Sequence, residues 1–253
     1  MGHTTVDGRD PDSGRSALRP QHDTFLNMSL IHRTTLKPTK LELLTDWLPT
    51  RAWYQGGAGS PALAKVGGFR LDDPAWEVGI EFMVAADGST AYHVPMTYRG
   101  SPAEEMSDAL IGTTEHGVLG RRWVYDGVRD PVLAGQLVAL IQGRAQPQMQ
   151  SVSDEADPTV TCAPVGDGVP LAIETAAADD GRLGTELRVG TVSADGVSGG
   201  QLVITVNRVL RPDDDGHDQV AGTEADPGRL HGTWRLADGT LVRGSLATAS
   251  VRA

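Results

Sequence analysis

Trp76-Glu77-Val78-Gly79-Ile80-Glu81-Phe82-Met83-Val84 alternates with a period of two. Trp76, Val78, Ile80, Phe82 and Val84 fall on one side, and Glu77, Gly79, Glu81 and Met83 on the other. Because successive strand side chains point to opposite faces, this pattern predicts a half-buried β-strand. Asp87-Gly88 is a hairpin turn signal. Tyr92, Val94, Met96 and Tyr98 then return on a single face, which predicts an antiparallel hairpin over 75–99. Pro95 inside the second arm cannot donate a ladder hydrogen bond, so it marks an edge or a bulge.

Working outward, Thr39-Lys40-Leu41-Glu42 has the form of a capping box, with Leu41, Leu44, Trp47 and Leu48 behind it at helical spacing and Pro49 as a stop. Leu63–Leu71 reads as a strand, with Gly67 and Gly68 marking a bulge or bend. Val118–Tyr125 reads as another strand. Asp130-Pro131 supplies an N-cap and a first-turn proline for a helix whose apolar face is Val132, Leu133, Leu137, Leu140 and Ile141, with Gly143 closing it. Residues 151–168 carry little apolar periodicity and are read as a linker. Beyond them Val169–Ile173, Thr185–Val192, Leu202–Leu210 and a hairpin at Asp238-Gly239 predict β-structure. The fold class expected is α+β: an antiparallel sheet with packed helices over 28–150, then a small β-rich C-terminal region over 169–253. Residues 1–27, rich in Asp, Gly, Arg, Ser and Pro, read as a disordered tail, with Met28 a candidate start.

Composition excludes several functions. The 253 residues carry 22 Lys+Arg against 33 Asp+Glu, a net charge of -11, which opposes binding to nucleic-acid phosphates. No run approaches a membrane-spanning length. A single cysteine, Cys162, allows no internal disulfide and suits a reducing, cytoplasmic setting. None of the three lysines is followed by Ser or Thr, so there is no P-loop; no GxGxxG, HExxH or CxxC occurs. The histidines are scattered, and the acidic run at Asp213, Asp214, Asp215 and Asp218 lacks calcium-loop spacing. No catalytic residue, metal site or cofactor is expected.

The residues that carry usable chemistry are few. Trp53 and Tyr54, beside a glycine-rich loop, can stack on a sugar or enter a partner's pocket, or plug the end of a sheet. Arg99 can hold an anion or form a structural ion pair. Glu115-His116 is a candidate acid/base pair or a surface turn. Tyr125 and Asp126 sit at a strand end.

Leu43-Leu44-Thr45-Asp46-Trp47-Leu48-Pro49 with Arg51-Ala52-Trp53-Tyr54, Val94–Gly100, Ile111–Glu115, and Trp123–Gly127 with Asp130-Pro131 occur together in one order. In this the segment from about Leu36 to Gly143 resembles the N-terminal cap domain of actinobacterial maltokinases and related aminosugar kinases. The resemblance implies a cystatin-like curved antiparallel sheet with a helix. It also implies a setting in trehalose, maltose and glycogen metabolism. The kinase catalytic loop is absent, so no catalytic residue carries over. The function expected is a non-catalytic cap-like module that binds a sugar kinase or another enzyme of that metabolism, or a sugar ligand. Two alternatives stand beside it: an enzyme acting on a sugar or sugar phosphate, and half of a split kinase completed in trans.

Overall fold

The computed structural model describes residues 36–150, 155–164, 171–193, 198–213 and 228–252. The expected tail over 1–27, the start at Met28, much of the linker and the acidic positions Asp214, Asp215 and Asp218 lie outside the described residues. In chain order the strands are β1 (Leu36–Lys37), β2 (Leu63–Leu71), β3 (Gly79–Asp87), β4 (Thr90–Arg99), β5 (Leu110–His116), β6 (Gly120–Asp126), β7 (Gln148–Met149) and β8 (Thr161–Cys162). They continue as β9 (Leu171–Asp180), β10 (Gly184–Ser193), β11 (Ser198–Asn207), β12 (Val209–Leu210), β13 (Arg229–Arg235) and β14 (Leu241–Arg252). Among the described residues two α-helices accompany them, α1 (Lys40–Trp47) and α2 (Pro131–Ile141). The chain is therefore strand-dominated α+β, and every strand pairing among the described residues is antiparallel.

The sheet is continuous from β1 to β9, in the order β1-β5-β6-β4-β3-β2-β13-β14-β11-β10-β9. A further pairing joins β12, one residue beyond β11, to the start of β4 at Val209↔Tyr92 and Leu210↔Ala91. The strands β2, β3, β4, β12 with β11, β14 and β13 thus form a closed ring of pairings, completed at Trp234↔Gly67. Gly67 is required there: a Cβ on it would stand 2.8 Å from the Thr233 carbonyl oxygen.

β4 changes partner along its length. Its first residues pair with β12, and Met96–Arg99 pair with β6. The N–H of His93 donates to Arg208 O at 2.9 Å, so by strand alternation the ring nitrogen of Pro95 faces the same side, in the gap between β12 and β6. Proline fits there because no donor is called for. The β3–β4 hairpin turns at Gly88, whose φ is 59°.

Two corrections to the strand pattern follow. β3 begins at Gly79, not Trp76, and it is buried on both faces. Ile80, Phe82 and Val84 join the core beneath α2 and the C-terminal strands, with Leu133, Leu137, Val189 and Ile204. Met83, on the opposite face, packs with Tyr92, Val94, Met96 and Val124 under Leu44, Trp47 and Leu48 of the first helical segment. α1 starts at Thr39 with both capping-box bonds formed, and a short 3-10 turn over Leu48–Thr50 accommodates Pro49. β5 was not foreseen. It lies between β1 and β6, and its sequence Leu-Ile-Gly-Thr-Thr-Glu-His carries too few apolar residues to display a period. Among the described residues no helix is long and apolar enough to cross a membrane.

Candidate functional site

The structure places the seven sequence-derived candidates apart rather than in one site. Trp53 is fully buried. Its ring meets Trp47 edge-on at 5.8 Å and Tyr92 at 6.1 Å, with the Arg208 guanidinium 5.1 Å from its centroid. It offers no face to a ligand. Tyr54 leans on Tyr92 at 5.4 Å and donates to Asp87 Oδ2 at 2.7 Å. Desolvation, then Asp87, push its hydroxyl up to about 12. Arg99 clamps Asp130 through two bonds of 2.8 and 2.7 Å. Asp130 is the buried N-cap of α2 and also accepts from Val132 N. The bond to Asp130, partly opposed by burial, raises the Arg99 guanidinium above its ordinary value.

Glu115 and His116 point to opposite sides of β5. Glu115 pairs across the strands with Arg121 at 2.7 Å in an exposed bridge, and His116 Nδ1 accepts from Leu119 N at 3.1 Å to close the hairpin turn. Tyr125 is buried, its hydroxyl accepting from Ala103 N at 2.8 Å. Asp126 is buried and takes both oxygens to Arg208 Nη2, at 2.6 and 2.7 Å. Arg208 also donates from Nε to Thr185 at 2.7 Å. This pair ties the end of β6 to the junction of β11 and β12, across 82 residues of sequence. Cys162, in β8, is part-buried, and that burial pushes its thiol up to about 11, away from the reactive thiolate. Among the described residues no three His, Cys, Asp or Glu side chains group to hold a metal ion.

Two features lie outside these candidates. The first is Trp76. Its φ is 59°, the only positive φ at a non-glycine residue among those described, and its side chain is 48% exposed. The left-handed region is strained for a bulky residue. Here it is enforced by Asp73, itself buried, which takes Ala75 N at one carboxylate oxygen and Glu77 N and Val78 N at the other, each at 3.0 Å. Trp76 N also donates to Asp73 O at 2.9 Å. The Asp73 carboxylate therefore holds a large aromatic ring outward on a fixed turn. Asp73-Pro74 is a turn-initiating dipeptide, and that signal could have removed Trp76 from the strand.

The second feature is a polar cluster on the α1 side of β3. Glu81 is buried and receives Lys40 Nζ, Tyr98 Oη at 2.7 Å and Gln150 Nε2 at 3.0 Å. Burial alone would raise its carboxyl; Lys40, Tyr98 and Lys65 outweigh it and hold it below the ordinary value. Beside the cluster an open recess of about 840 Å³ is lined by the β1–α1 turn together with Lys65 and Met83.

No curated protein matches the chain. Residues 47–130, from the end of α1 to the N-cap of α2 and including Trp76, match the maltokinase N-terminal cap domain, and this segment is a relative of that domain.

Proposed function

We propose that this chain is a non-catalytic cap-like module that docks on a partner enzyme of α-glucan metabolism, of the trehalose, maltose and glycogen type, with Trp76 at the centre of the contact. The observation that carries the reading is the display of Trp76. A strained backbone conformation persists only where surrounding structure enforces it, and such residues concentrate at functional sites. Tryptophan is among the residues most enriched at the energetic centres of protein interfaces. The cap-domain relationship of residues 47–130 supplies the metabolic setting. Support also comes from the polar candidates of that segment, since Arg99, Tyr125 and Asp126 are all engaged in structural bonds.

The test is binding of the full chain to an immobilised sugar kinase from the same cell, measured by interferometry for wild type and Trp76→Ala. A central tryptophan is worth about 2 kcal/mol or more, so the variant should bind roughly thirtyfold more weakly. Equal affinity of the two proteins would remove Trp76 from the interface, and no binding by either would remove a sugar kinase as the partner.

A further inference from the structure

We propose that the recess between the β1–α1 turn and β2–β3 is a binding site for an organic phosphate monoester. The chain contains three lysines, Lys37, Lys40 and Lys65, and all three line this one recess in a protein whose net charge is -11. Their acidic neighbours are already committed. Glu81 is buried beneath Lys40 and is satisfied by Lys40, Tyr98 and Gln150, so it acts as a pedestal that fixes one ammonium in place. Glu42 turns back onto Thr39 N at 2.6 Å in the capping box. Lys37 and Lys65 form no ion pair or hydrogen bond with any described residue, and both are exposed. Desolvation lowers the Lys65 ammonium, Glu81 partly restoring it and Lys40 adding repulsion; an incoming anion relieves that penalty.

The chemistry of the walls selects the ligand. Clustered ammonium groups act as point charges and suit a compact dianion better than a planar carboxylate, which favours the arginine fork. The start of α1 adds a partial positive charge of the same sign. Leu36, Pro38 and Met83 provide an apolar wall for the uncharged part of an ester. The volume of about 840 Å³ falls in the range of small-molecule sites. The lining of the recess does not include Trp76.

With three lysines, amine footprinting reads the site residue by residue. The full chain is acetylated briefly with an activated ester in the presence of glucose 1-phosphate, inorganic phosphate or sodium chloride at matched ionic strength, and each lysine is quantified by mass spectrometry. Glucose 1-phosphate should slow modification of Lys37 and Lys65 severalfold with saturation. Inorganic phosphate should do so at higher concentration, and chloride should have no saturable effect. By calorimetry, Lys65→Gln should weaken glucose 1-phosphate binding about tenfold while unfolding stays cooperative, because the hydrogen bonds that hold Glu81 come from Lys40, Tyr98 and Gln150 and not from Lys65. Absence of saturable protection by either phosphate, or equal protection by chloride, overturns the site. Equal protection by inorganic phosphate and the ester overturns the assignment to an ester.

Discussion

Removing one member of the Asp126–Arg208 pair should cost a large part of the stability of the whole chain. Both side chains are buried, at 2% and 0% exposure. Arg208→Met leaves the Asp126 carboxylate in the core without its cation, and Asp126→Leu removes both of the carboxylate bonds to the guanidinium, leaving it Thr185, the Trp53 ring and the longer-range charge of Asp180. Breaking a buried pair from one side costs about 3–5 kcal/mol, because the surviving charge is left uncompensated. That is a large share of the roughly 5–15 kcal/mol that holds a folded domain together. Replacing both residues removes the stranded charge, so the double variant should be markedly more stable than either single one, with a coupling of about 3 kcal/mol. Urea unfolding of the four proteins, followed by tryptophan fluorescence and by circular dichroism, gives the cycle. Since the pair joins the cap-related segment to the strands beyond residue 198, wild type should unfold in one transition by both probes. A cost below about 1 kcal/mol for each single variant, or strict additivity in the double, would refute the reasoning.

Two further outcomes are expected. His93 is buried and its imidazole is held down to about 3, chiefly by desolvation and then by Arg208, with the Asn207 and Leu246 carbonyls acting in the opposite sense. The unfolded chain binds the proton first, so stability should fall as pH drops from about 6.5 toward about 3, by about 2 kcal/mol near pH 5. His93→Gln should flatten denaturation midpoints over that range; an unchanged slope would exclude His93 as the source. At position 76, Trp76→Gly should be more stable than Trp76→Ala by about 1 kcal/mol, because only glycine adopts the left-handed backbone without strain. Alanine equal to or better than glycine in thermal unfolding would mean that the turn does not impose the positive φ.

Local signals in the sequence proved reliable where one residue fixes one geometry. Thr39 with Glu42 closes the capping box of α1, Asp130 with Pro131 opens α2, and Gly143 ends it at a φ of 71°. Asp87-Gly88 turns the hairpin, and Leu63–Leu71 is β2 with its register shift at Lys65/Gly67. Longer-range facts were illegible. The alternation in β3 marks Glu81 and Met83 as outward, and it takes the arrival of α1 to bury them. The ring of strands depends on Arg208 interrupting β11 and β12, so that Val209 and Leu210 reach β4. Nothing in the local pattern of 202–210 encodes that. The candidates chosen for their chemistry dispersed for the same reason. Asp126, Arg99 and Trp53 each found a partner distant in sequence, whereas Lys37 and Lys65, 28 positions apart in the numbering, came to line one recess.

The most direct test of the docking role places a photo-crosslinking benzoylphenylalanine at Trp76 in the native cell and identifies the adduct by mass spectrometry. The ring occupies the same outward position on the Asp73 turn, so irradiation should yield one dominant adduct with an enzyme of α-glucan metabolism, absent when the same group is placed at Glu115 on the β5–β6 hairpin. No adduct at position 76, or adducts with unrelated proteins alone, would contradict a cap-like module that docks through this tryptophan.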